Sequence, residues 1–479
     1  MLRVDLRLIG PAHSRRTVSR FRLTVLICEA FADFLTIGCA VLGSYALYHY
    51  LSIGKHVHYR VQGLGMVAFA LAAVMVLMLD RAGAYRRGTS LLRVRETEQV
   101  LRVSVQTFLA ALAVSVLSSY LLSRWLLLLC LTLVPFALFI QKSLMYLAVS
   151  VLHANGFGTE RVLIYGAGCT GRRVFSALTR SPRIGLFPVA FVDDDPTKAG
   201  NIVFELGYGR RRFATIIQGP ISCDLLTRYE ADALVVAIPS LEGERFLHAA
   251  EQAFGANVRV SFVPSHFLPS DPMVEYQDVD GVLLASFGKP LPRTGYELFK
   301  RAVDILGSFL LLTAGAPIFL LIALLVKLDS DGPVMFVQER VGESGRLFMM
   351  YKFRTMDTGA LSYDFSPRAS SDPRITRVGR FLRRTSLDEL PQLLNVLEGT
   401  MSLVGPRPEM PFIVQKYNSR HMQRLQVKPG ITGLWQLSGD RAFLIHENIE
   451  YDLYYIQHRN FFMDLAILLH TSVFAMRGI

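Results

Sequence analysis

Two adjacent carboxylates, Asp388 and Glu389, lie in the stretch SLDELPQ and are the side chains best placed to do chemistry. Ser386 and Glu389 have the S-x-x-E spacing of a capping box, which satisfies amides at a helix start. Pro391 opposes this interpretation, since it would be the fifth helical residue, where its missing amide is needed. We therefore expect the helix to begin near Pro391, with both acids on the preceding turn, where the helix dipole favours ionised carboxylates. An ionised, oriented carboxylate is what an aspartyl nucleophile for phosphoryl transfer requires, so the pair is either a cap or a reaction centre.

Cations accompany this pair in four short motifs. They lie in YKFRTM, directly before the acids, in VGPRPE and in RLQVKPGITGLWQ: Lys352, Arg354, Arg383, Arg384, Arg407, Arg424 and Lys428. A basic run usually forms a solvated surface. Gathered around two carboxylates, these side chains instead suit a diphosphate leaving group and a phosphate acceptor. The glycines and prolines of VGPRP and KPGITG favour rigid loops against a ligand, although ordinary turns need them too.

The composition indicates a membrane protein. Of 479 residues, 51% are hydrophobic, and the formal net charge is +12. This combination favours a membrane protein with basic cytoplasmic faces over a nucleic-acid binder, so no nucleic-acid partner is expected. The five cysteines contain no C-x-x-C motif and form neither a disulfide framework nor a zinc site.

Four apolar runs in the first third of the chain are long enough, or nearly so, to cross a bilayer, which takes about 20 residues. They extend from about Leu26 to Tyr50, Gly63 to Leu79, Val105 to Leu122 and Trp125 to Ala148. Glu29 and Asp33 fall near the start of the first run and blur its boundary. Arginines concentrate before the first run and between the second and third, so the positive-inside rule places both regions in the cytoplasm. After four spans, everything from about Leu152 is cytoplasmic too.

A glycine motif follows these runs. Gly166, Gly168 and Gly171 have G-x-G-x-x-G spacing between the apolar stretch RVLIY and a predicted helix, and the next strand, VAFVDDDP, ends in acids. With the further strands ADALVVAIPS and NVRVSFVPS, this pattern predicts a Rossmann-like, doubly wound α/β domain. The glycines either bind a nucleotide or serve only a tight turn and close packing. The one Y-x-x-x-K of a reductase type, Tyr296 to Lys300, abuts a membrane segment, so no redox cofactor is expected.

A fifth apolar run extends from about Ala302 to Val326. Crossing the bilayer would carry all later residues away from cytoplasmic nucleotides, and basic residues flank both ends of the run. Pro317 lies in its middle, where it removes a backbone hydrogen bond and kinks a helix. These features predict a re-entrant helix that dips into one leaflet and returns; a straight span is the alternative.

The C-terminal part, from Asp329 to Ile479, is mixed in character. The stretch PVMFVQERVGESGRLFMMYKFRTM predicts a β-hairpin. A late apolar stretch, Phe461 to Met476, is interrupted by Asp464 and His470 and is interpreted as an interfacial or core helix.

The motifs YKFRTM, SLDELPQLLNVLEGTMSLVGPRPE and KPGITGLWQLSG together resemble the signature blocks of the bacterial polyprenyl-phosphate hexose-1-phosphate transferases. The resemblance covers about Tyr296 to Ile479, with the kinked apolar helix and GPVMFVQERVG in the same order. The preceding four spans and Rossmann-like domain resemble the large members of this family, which initiate exopolysaccharide or O-antigen repeat units.

The resemblance implies a mechanism and a set of site residues. Asp388 would attack the β-phosphate of a UDP-hexose, expel UMP and form a phosphosugar-aspartate, from which undecaprenyl phosphate takes the sugar phosphate. Glu389 would hold Mg²⁺. The implied phosphate contacts are Lys352, Arg354, Arg384, Arg407 and Arg424, with Asp452 positioning one of these cations. Pro317 would set the depth at which the domain meets the lipid. Glucose is favoured over galactose on the resemblance alone.

The expected architecture is a multi-pass protein of the bacterial inner membrane with its two folded domains in the cytoplasm. It comprises a four-helix transmembrane region (1–152), a Rossmann-like α/β domain (153–292), and a re-entrant helix leading into a small mixed α/β catalytic domain (293–479). Partners would be UDP-hexose, undecaprenyl phosphate and membrane lipid, with a homodimer and other polysaccharide-assembly proteins as further candidates. Two alternatives stay open: a nucleotide-sugar redox enzyme that uses the glycine motif, and a non-catalytic membrane scaffold.

Overall fold

The computed structural model of the chain describes residues 15–52, 59–85, 93–117, 123–180, 184–207, 210–238, 243–263, 273–279, 282–288, 294–357, 372–437 and 449–477. The chain forms two compact units, residues 1–89 with 99–267 and residues 90–98 with 268–479. The predicted domain boundaries after residues 152 and 292 stay predictions.

Long apolar helices cover the four N-terminal runs: α1 (Arg15–Tyr50), α2 (Val61–Arg81), α3 (Arg93–Leu117) and α4 (Arg124–Ala154). Residues 118–122, the end of the third predicted run, lie outside the described residues. Each helix has the length and hydropathy of a membrane span. The chain is therefore a membrane protein as predicted, while the number of crossings stays a prediction.

Paired charges lie between α1 and α4. Lys142 Nζ is 3.2 Å from Glu29 Oε1 and 2.8 Å from Asp33 Oδ2, and the Tyr85 hydroxyl donates to Asp33 at 2.8 Å. Because charges within a membrane segment are costly unless they are paired, this contact explains how α1 continues through both acids.

The α/β domain contains β1 (Glu160–Tyr165), α5 (Cys169–Arg180), β2 (Leu186–Asp193), β3 (Ile202–Gly207), β4 (Arg210–Gln218), α6 (Cys223–Arg228), β5 (Ala233–Val236), α7 (Gly243–Gly255) and β6 (Arg259–Phe262). These strands form one sheet in the order β3-β4-β2-β1-β5-β6, parallel except for the β3–β4 pair. Phe175 and Leu178 of α5 pack on one face, and Leu226 of α6 and Ala249 of α7 pack on the other. The alternation of parallel strands with helices on both faces is the α/β pattern that the sequence predicts.

The glycine motif forms the turn between β1 and α5. Gly166 has a φ of +106°, and a β-carbon on Gly171 would lie 1.8 Å from the Gly166 carbonyl oxygen. Both glycines are thus required by the turn itself. The acid at the end of β2, Asp193, accepts the Ala167 amide at 2.7 Å and pairs with Lys198. These contacts agree with a role in the turn and packing, and nucleotide binding at Gly166, Gly168 and Gly171 stays a prediction.

The second unit contains a hairpin of β7 (Met273–Val279) and β8 (Val282–Gly288), then α8 (Thr294–Asp329), β9 (Met335–Val341), β10 (Leu347–Phe353), α9 (Arg377–Thr385), α10 (Gln392–Glu398), β11 (Ser402–Val404), α11 (Pro411–Val414), α12 (Ser419–Met422), β12 (Gly430–Thr432), α13 (Leu434–Leu437), α14 (Glu450–His458) and α15 (Phe461–Arg477). Strands β9 and β10 pair antiparallel over seven residues each, which confirms the predicted hairpin. Strands β11 and β12 pair in parallel.

Helix α8 is 36 residues long and continues through Pro317. Near its start, Arg301 donates to the carbonyls of Val396 and Leu397, at 2.6 and 2.9 Å. Near its end, Ile322 and Val326 pack against side chains of β10 and α9. Its length and hydropathy would also permit a crossing, so the re-entrant path over about residues 302–326 stays a prediction.

Helix α15 is a core element of the second unit. Met463, Ala466 and Ile467 are buried, and Asp464 accepts hydrogen bonds from Tyr296, Lys300 and Tyr455 at 2.7, 3.0 and 2.8 Å. The core interpretation of this late apolar stretch is therefore correct. The Tyr296–Lys300 pair ties α8 to α15 by this shared carboxylate.

Candidate active site

The two acids lie on a single 3-10 turn, Leu387–Glu389, directly before α10. Ser386 adopts a left-handed conformation with a φ of +56° between α9 and this turn, and its side chain makes no capping hydrogen bond. Pro391 immediately precedes α10. The helix start near Pro391 is thus confirmed, and the capping-box interpretation is wrong because the serine hydroxyl does not cap.

Glu389 is held by two cations. Its Oε1 atom is 2.7 Å from Lys352 Nζ and 3.2 Å from an Arg407 guanidinium nitrogen. Burial alone would raise the pKa of Glu389, but these two charges outweigh it and lower the pKa to about 2. Glu389 is therefore ionised and fixed in orientation at any physiological pH.

Asp388 differs from its neighbour in both contacts and proton affinity. Among the described residues, no side chain or amide hydrogen-bonds its carboxylate. Burial raises its pKa, with Lys352 and Arg383 opposing the shift and Glu389 adding to it. A carboxylate that has no donor on it and is costly to keep ionised is more reactive than one held in an ion pair. The turn thus offers one fixed acid and one available acid.

Lys352 reaches the turn because β10 is tied to α10. The Asn395 amide of α10 is fully buried, accepts the Tyr351 amide at 3.0 Å and donates to the Met349 carbonyl at 2.7 Å. This side chain fixes the register between the strand carrying the cation and the helix following the acids. Sequence spacing does not indicate Asn395, since an asparagine in a helix gives no signal of a partner about 45 residues away along the chain.

Arg407 reaches the turn from the loop after β11, which is held at two points. A β-carbon on Gly430 would lie 2.0 Å from the Gly405 amide nitrogen, so β12 and this loop touch backbone to backbone. Arg424 donates to the Arg407 carbonyl at 3.1 Å. Its Nε lies 2.7 Å from Asp452 Oδ2. The predicted pairing of Asp452 with one of the cations is observed, and both partners are buried.

The other predicted phosphate contacts lie differently. Arg354 is buried and donates to the Ser330 and Asp331 carbonyls at 2.6 and 3.0 Å, so it holds the turn after α8. Arg424 likewise has its donors on protein groups. Arg384 is exposed, whereas its neighbour Arg383 is half-buried and acts on Asp388. The structure therefore groups Lys352, Arg383 and Arg407 around the acids.

Arg340 of β9 is a cation of this region that the motifs do not single out. It donates to the Gln338 side chain at 2.8 Å and to the Pro408 carbonyl at 3.4 Å. Burial, together with the charge of Arg407, lowers its pKa to about 10. Strand β9 joins the Arg407 loop through the Val341–Glu409 bridge. Because Arg340 follows Gln338 and Glu339 in β9, its polarity alone does not distinguish it in the sequence.

A divalent cation fits this site only with oxygen ligands from a substrate. The described residues contain no group of three or more acidic, histidine or cysteine side chains that could hold a metal. Mg²⁺ is commonly bound by one or two carboxylates together with substrate phosphates and water. Glu389, with the adjacent Asp388, meets that requirement.

An apolar helix packed against a turn that carries paired carboxylates and convergent cations suits an enzyme that acts on phosphates. The bacterial sugar transferase family matches residues 295–478. Undecaprenyl-phosphate galactose phosphotransferase of Salmonella typhimurium is 30% identical over 418 residues, 80% of this chain and 81% of that protein. UDP-glucose:undecaprenyl-phosphate glucose-1-phosphate transferase of Escherichia coli K12 is 31% identical over 343 residues, 70% of this chain and 71% of that protein. Its counterpart of Caulobacter vibrioides is 44% identical over 192 residues, 38% of this chain and 72% of that protein.

The chain belongs to the bacterial sugar transferases, within the polyprenyl-phosphate hexose-1-phosphate transferase family. It is accordingly a phosphoglycosyl transferase. Neither a redox enzyme nor a non-catalytic scaffold agrees with that membership.

Proposed function

We propose that the chain transfers hexose-1-phosphate from a UDP-hexose to undecaprenyl phosphate and releases UMP. The proposal rests on the difference in contacts between the two acids of one turn. Glu389 is locked between Lys352 and Arg407, while Asp388 beside it has no donor on its carboxylate among the described residues. An acid kept free next to clustered cations suits attack on a phosphate ester.

The reaction has two displacements at the same phosphorus. A carboxylate oxygen of Asp388 forms a bond to the β-phosphorus, the bond from that phosphorus to the bridging oxygen breaks, and UMP leaves with the bridging oxygen. An oxygen of undecaprenyl phosphate then bonds to the same phosphorus, and the Asp388 carboxylate leaves. Lys352, Arg383 and Arg407 stabilise the negative charge of both displacements.

The proposed cofactor is Mg²⁺, which Glu389 would hold. A bound divalent cation neutralises the diphosphate and so lowers the barrier to departure of UMP. Lys352 and Arg407 keep the Glu389 carboxylate ionised and fixed in orientation.

The proposed membrane arrangement is re-entrant for α8. Both ends of this helix contact the rest of the second unit, through Arg301 at one end and through Ile322 and Val326 at the other. A straight helix separates positions 301 and 322 by about 31 Å, close to the thickness of the hydrocarbon core. A domain on one face of a bilayer contacts both positions more readily if the helix returns, and Pro317 between them favours a bend.

This path also puts the chemistry at the lipid surface. Leu387 and Leu390, on either side of the acids, pack against the apolar cluster to which Ile322 and Val326 of α8 belong. The reactive turn is therefore attached to the membrane helix, as a lipid phosphate acceptor requires. We place the chain in the bacterial inner membrane with its folded domains in the cytoplasm, where UDP-sugars are made.

The proposed donor is UDP-glucose, for the first step of exopolysaccharide or O-antigen repeat-unit synthesis. Over the C-terminal part, a relative named for glucose is 44% identical over 192 residues, whereas relatives named for galactose are 38% identical over 215 residues and 30% identical over 418 residues. A homodimer and contacts with other assembly proteins stay predictions.

The test is release of UMP by the purified full chain with undecaprenyl phosphate, Mg²⁺ and a panel of UDP-hexoses. We expect UMP with one sugar, none from Asp388→Asn, and an unchanged rate from Asp224→Asn, an exposed acid of the α/β domain. Activity should disappear with EDTA and return with added Mg²⁺. Absence of UMP with every UDP-hexose would overturn the proposal, and full activity of Asp388→Asn would remove its nucleophile.

A further inference from the structure

The edge of the six-stranded sheet carries uncovered apolar side chains, here called the edge patch: Ile202 and Phe204 of β3 and Phe213 of β4. Phe204 is 68% exposed, and Ile202 and Phe213 are exposed as well. Phe204 and Phe213 are opposite each other in register, with ring centroids 6.5 Å apart. The alternate residues of these strands face α5 and its core instead. Three large apolar side chains together on one exposed face indicate an interaction surface.

The edge patch lies beside the end of a membrane helix. Arg212, next to Phe213, donates to the carbonyl of Ala154, the last residue of α4, at 2.5 Å. Helix α4 has 31 residues, which makes it about 46 Å long. That length is close to the ~40–45 Å of a bilayer with both headgroup layers. Ala154, and with it the start of β4, therefore lies at headgroup level.

The ends of neighbouring helices also lie at the headgroup level. The Phe21 ring of α1 lies 5.8 Å from the His153 ring, so the start of α1 is level with the end of α4. The sequence places arginines at that start, at positions 15, 16, 20 and 22, and α2 ends at Arg81. Arginines at the ends of membrane helices are typical of the headgroup layer.

The chain around the edge patch has the composition of a lipid-contacting surface. Strand β4 begins with three consecutive arginines, Arg210 to Arg212, and Phe213 follows directly. Aromatic side chains beside arginines combine burial below the headgroups with attraction to anionic lipids. The charge complementarity and the continuity with α4 both point to one occupant, the bilayer surface.

We propose that the edge patch inserts into the interfacial layer of the bilayer, with Phe204 and Phe213 below the headgroups and the arginine-rich start of β4 at the level of anionic lipid phosphates. The α/β domain would then be held on the membrane by a second attachment besides α4. This inference goes beyond the transferase reaction and does not depend on it.

The test is photo-crosslinking of the full chain in nanodiscs that contain phosphatidylglycerol and phosphatidylcholine. p-Benzoylphenylalanine replaces Phe204 or Phe213 singly, which preserves an aromatic side chain. The matched control is Phe262, an exposed aromatic residue at the opposite, carboxyl end of the parallel strands. Phe136, exposed in the middle of α4, serves as the positive control for lipid capture.

We expect phospholipid adducts by mass spectrometry at positions 136, 204 and 213 and none at 262. Lipid capture at 136 without capture at 204 or 213 would overturn the proposal. Adducts of 204 or 213 to a second copy of the chain would also overturn it, since the patch would then be an interface between protomers. Because the readout is a covalent adduct, it is independent of transferase activity.

Discussion

Replacing Asp452 with asparagine leaves Arg424 charged inside the C-terminal unit without its counter-ion. The two side chains are each only 2% exposed, and their nearest atoms are 2.7 Å apart. Removing one partner of a buried ion pair costs about 3–5 kcal/mol, because the remaining charge is still desolvated. For a unit of this size, that loss lowers the midpoint of thermal unfolding by roughly 6–20 °C. The rate of UMP release should fall as well, since Arg424 also holds the Arg407 carbonyl.

The assay is thermal unfolding of the purified chain in detergent, followed by UMP release at a temperature where the variant is folded. The control is Glu297→Gln, which breaks the exposed pair with Arg459; exposed pairs contribute about 0–1 kcal/mol. The double variant Asp452→Asn/Arg424→Met should unfold at a higher temperature than Asp452→Asn alone, because no buried charge is left unpaired. A midpoint for Asp452→Asn within the range of the control would refute this account of the Arg407 loop.

Further predictions concern the acids and the loop that carries Arg407. Because burial raises the pKa of Asp388 and the nucleophile must be ionised, kcat should fall as pH falls through that raised pKa. Lys352→Met removes the strongest charge that lowers this pKa, so the acidic limb of the pH–rate profile should move to higher pH; an unmoved limb would contradict the assignment. Gly430→Ala places a β-carbon 2.0 Å from the Gly405 nitrogen, and displacement of Arg407 by about 1 Å should lower kcat about a hundredfold. Gly295→Ala, whose β-carbon meets nothing within 4 Å, should retain the native rate.

The sequence predicted those helices and strands whose formation depends on residues close together in the chain. Pro391 predicted a helix start beside it rather than at Ser386, because the constraint of a proline acts on the residue itself and its neighbour. The hairpin of β9 and β10 and the parallel sheet followed from alternation and from short apolar runs between helices. Helix α1 was harder to delimit, since the partner that makes Glu29 and Asp33 acceptable in a membrane helix is Lys142.

The spacing of the motifs could not show which cations lie close to the two acids. Arg354 and Arg424 lie in the same motifs as Lys352 and Lys428, yet the first two are buried with their donors on protein groups. Arg383 and Arg384 are adjacent in the sequence, and only the direction of the α9 helix brings the first towards Asp388. Arg340 carries no motif signal because its relation to Arg407 depends on the bridge between β9 and the loop before α11.

The sequence by itself determined the family, the membrane character, the parallel α/β domain and the turn that carries Asp388 and Glu389. Hydropathy, helix and strand periodicity, and proline constraints all act over a few residues, so they can be read along the chain. Only the tertiary structure decided which acid is locked and which is available. That difference depends on Lys352 and Arg407, which arrive from a strand and a loop on opposite sides of the turn in sequence. Electrostatic interactions depend on distance and burial in space, and neither quantity is encoded in the spacing of residues along the chain.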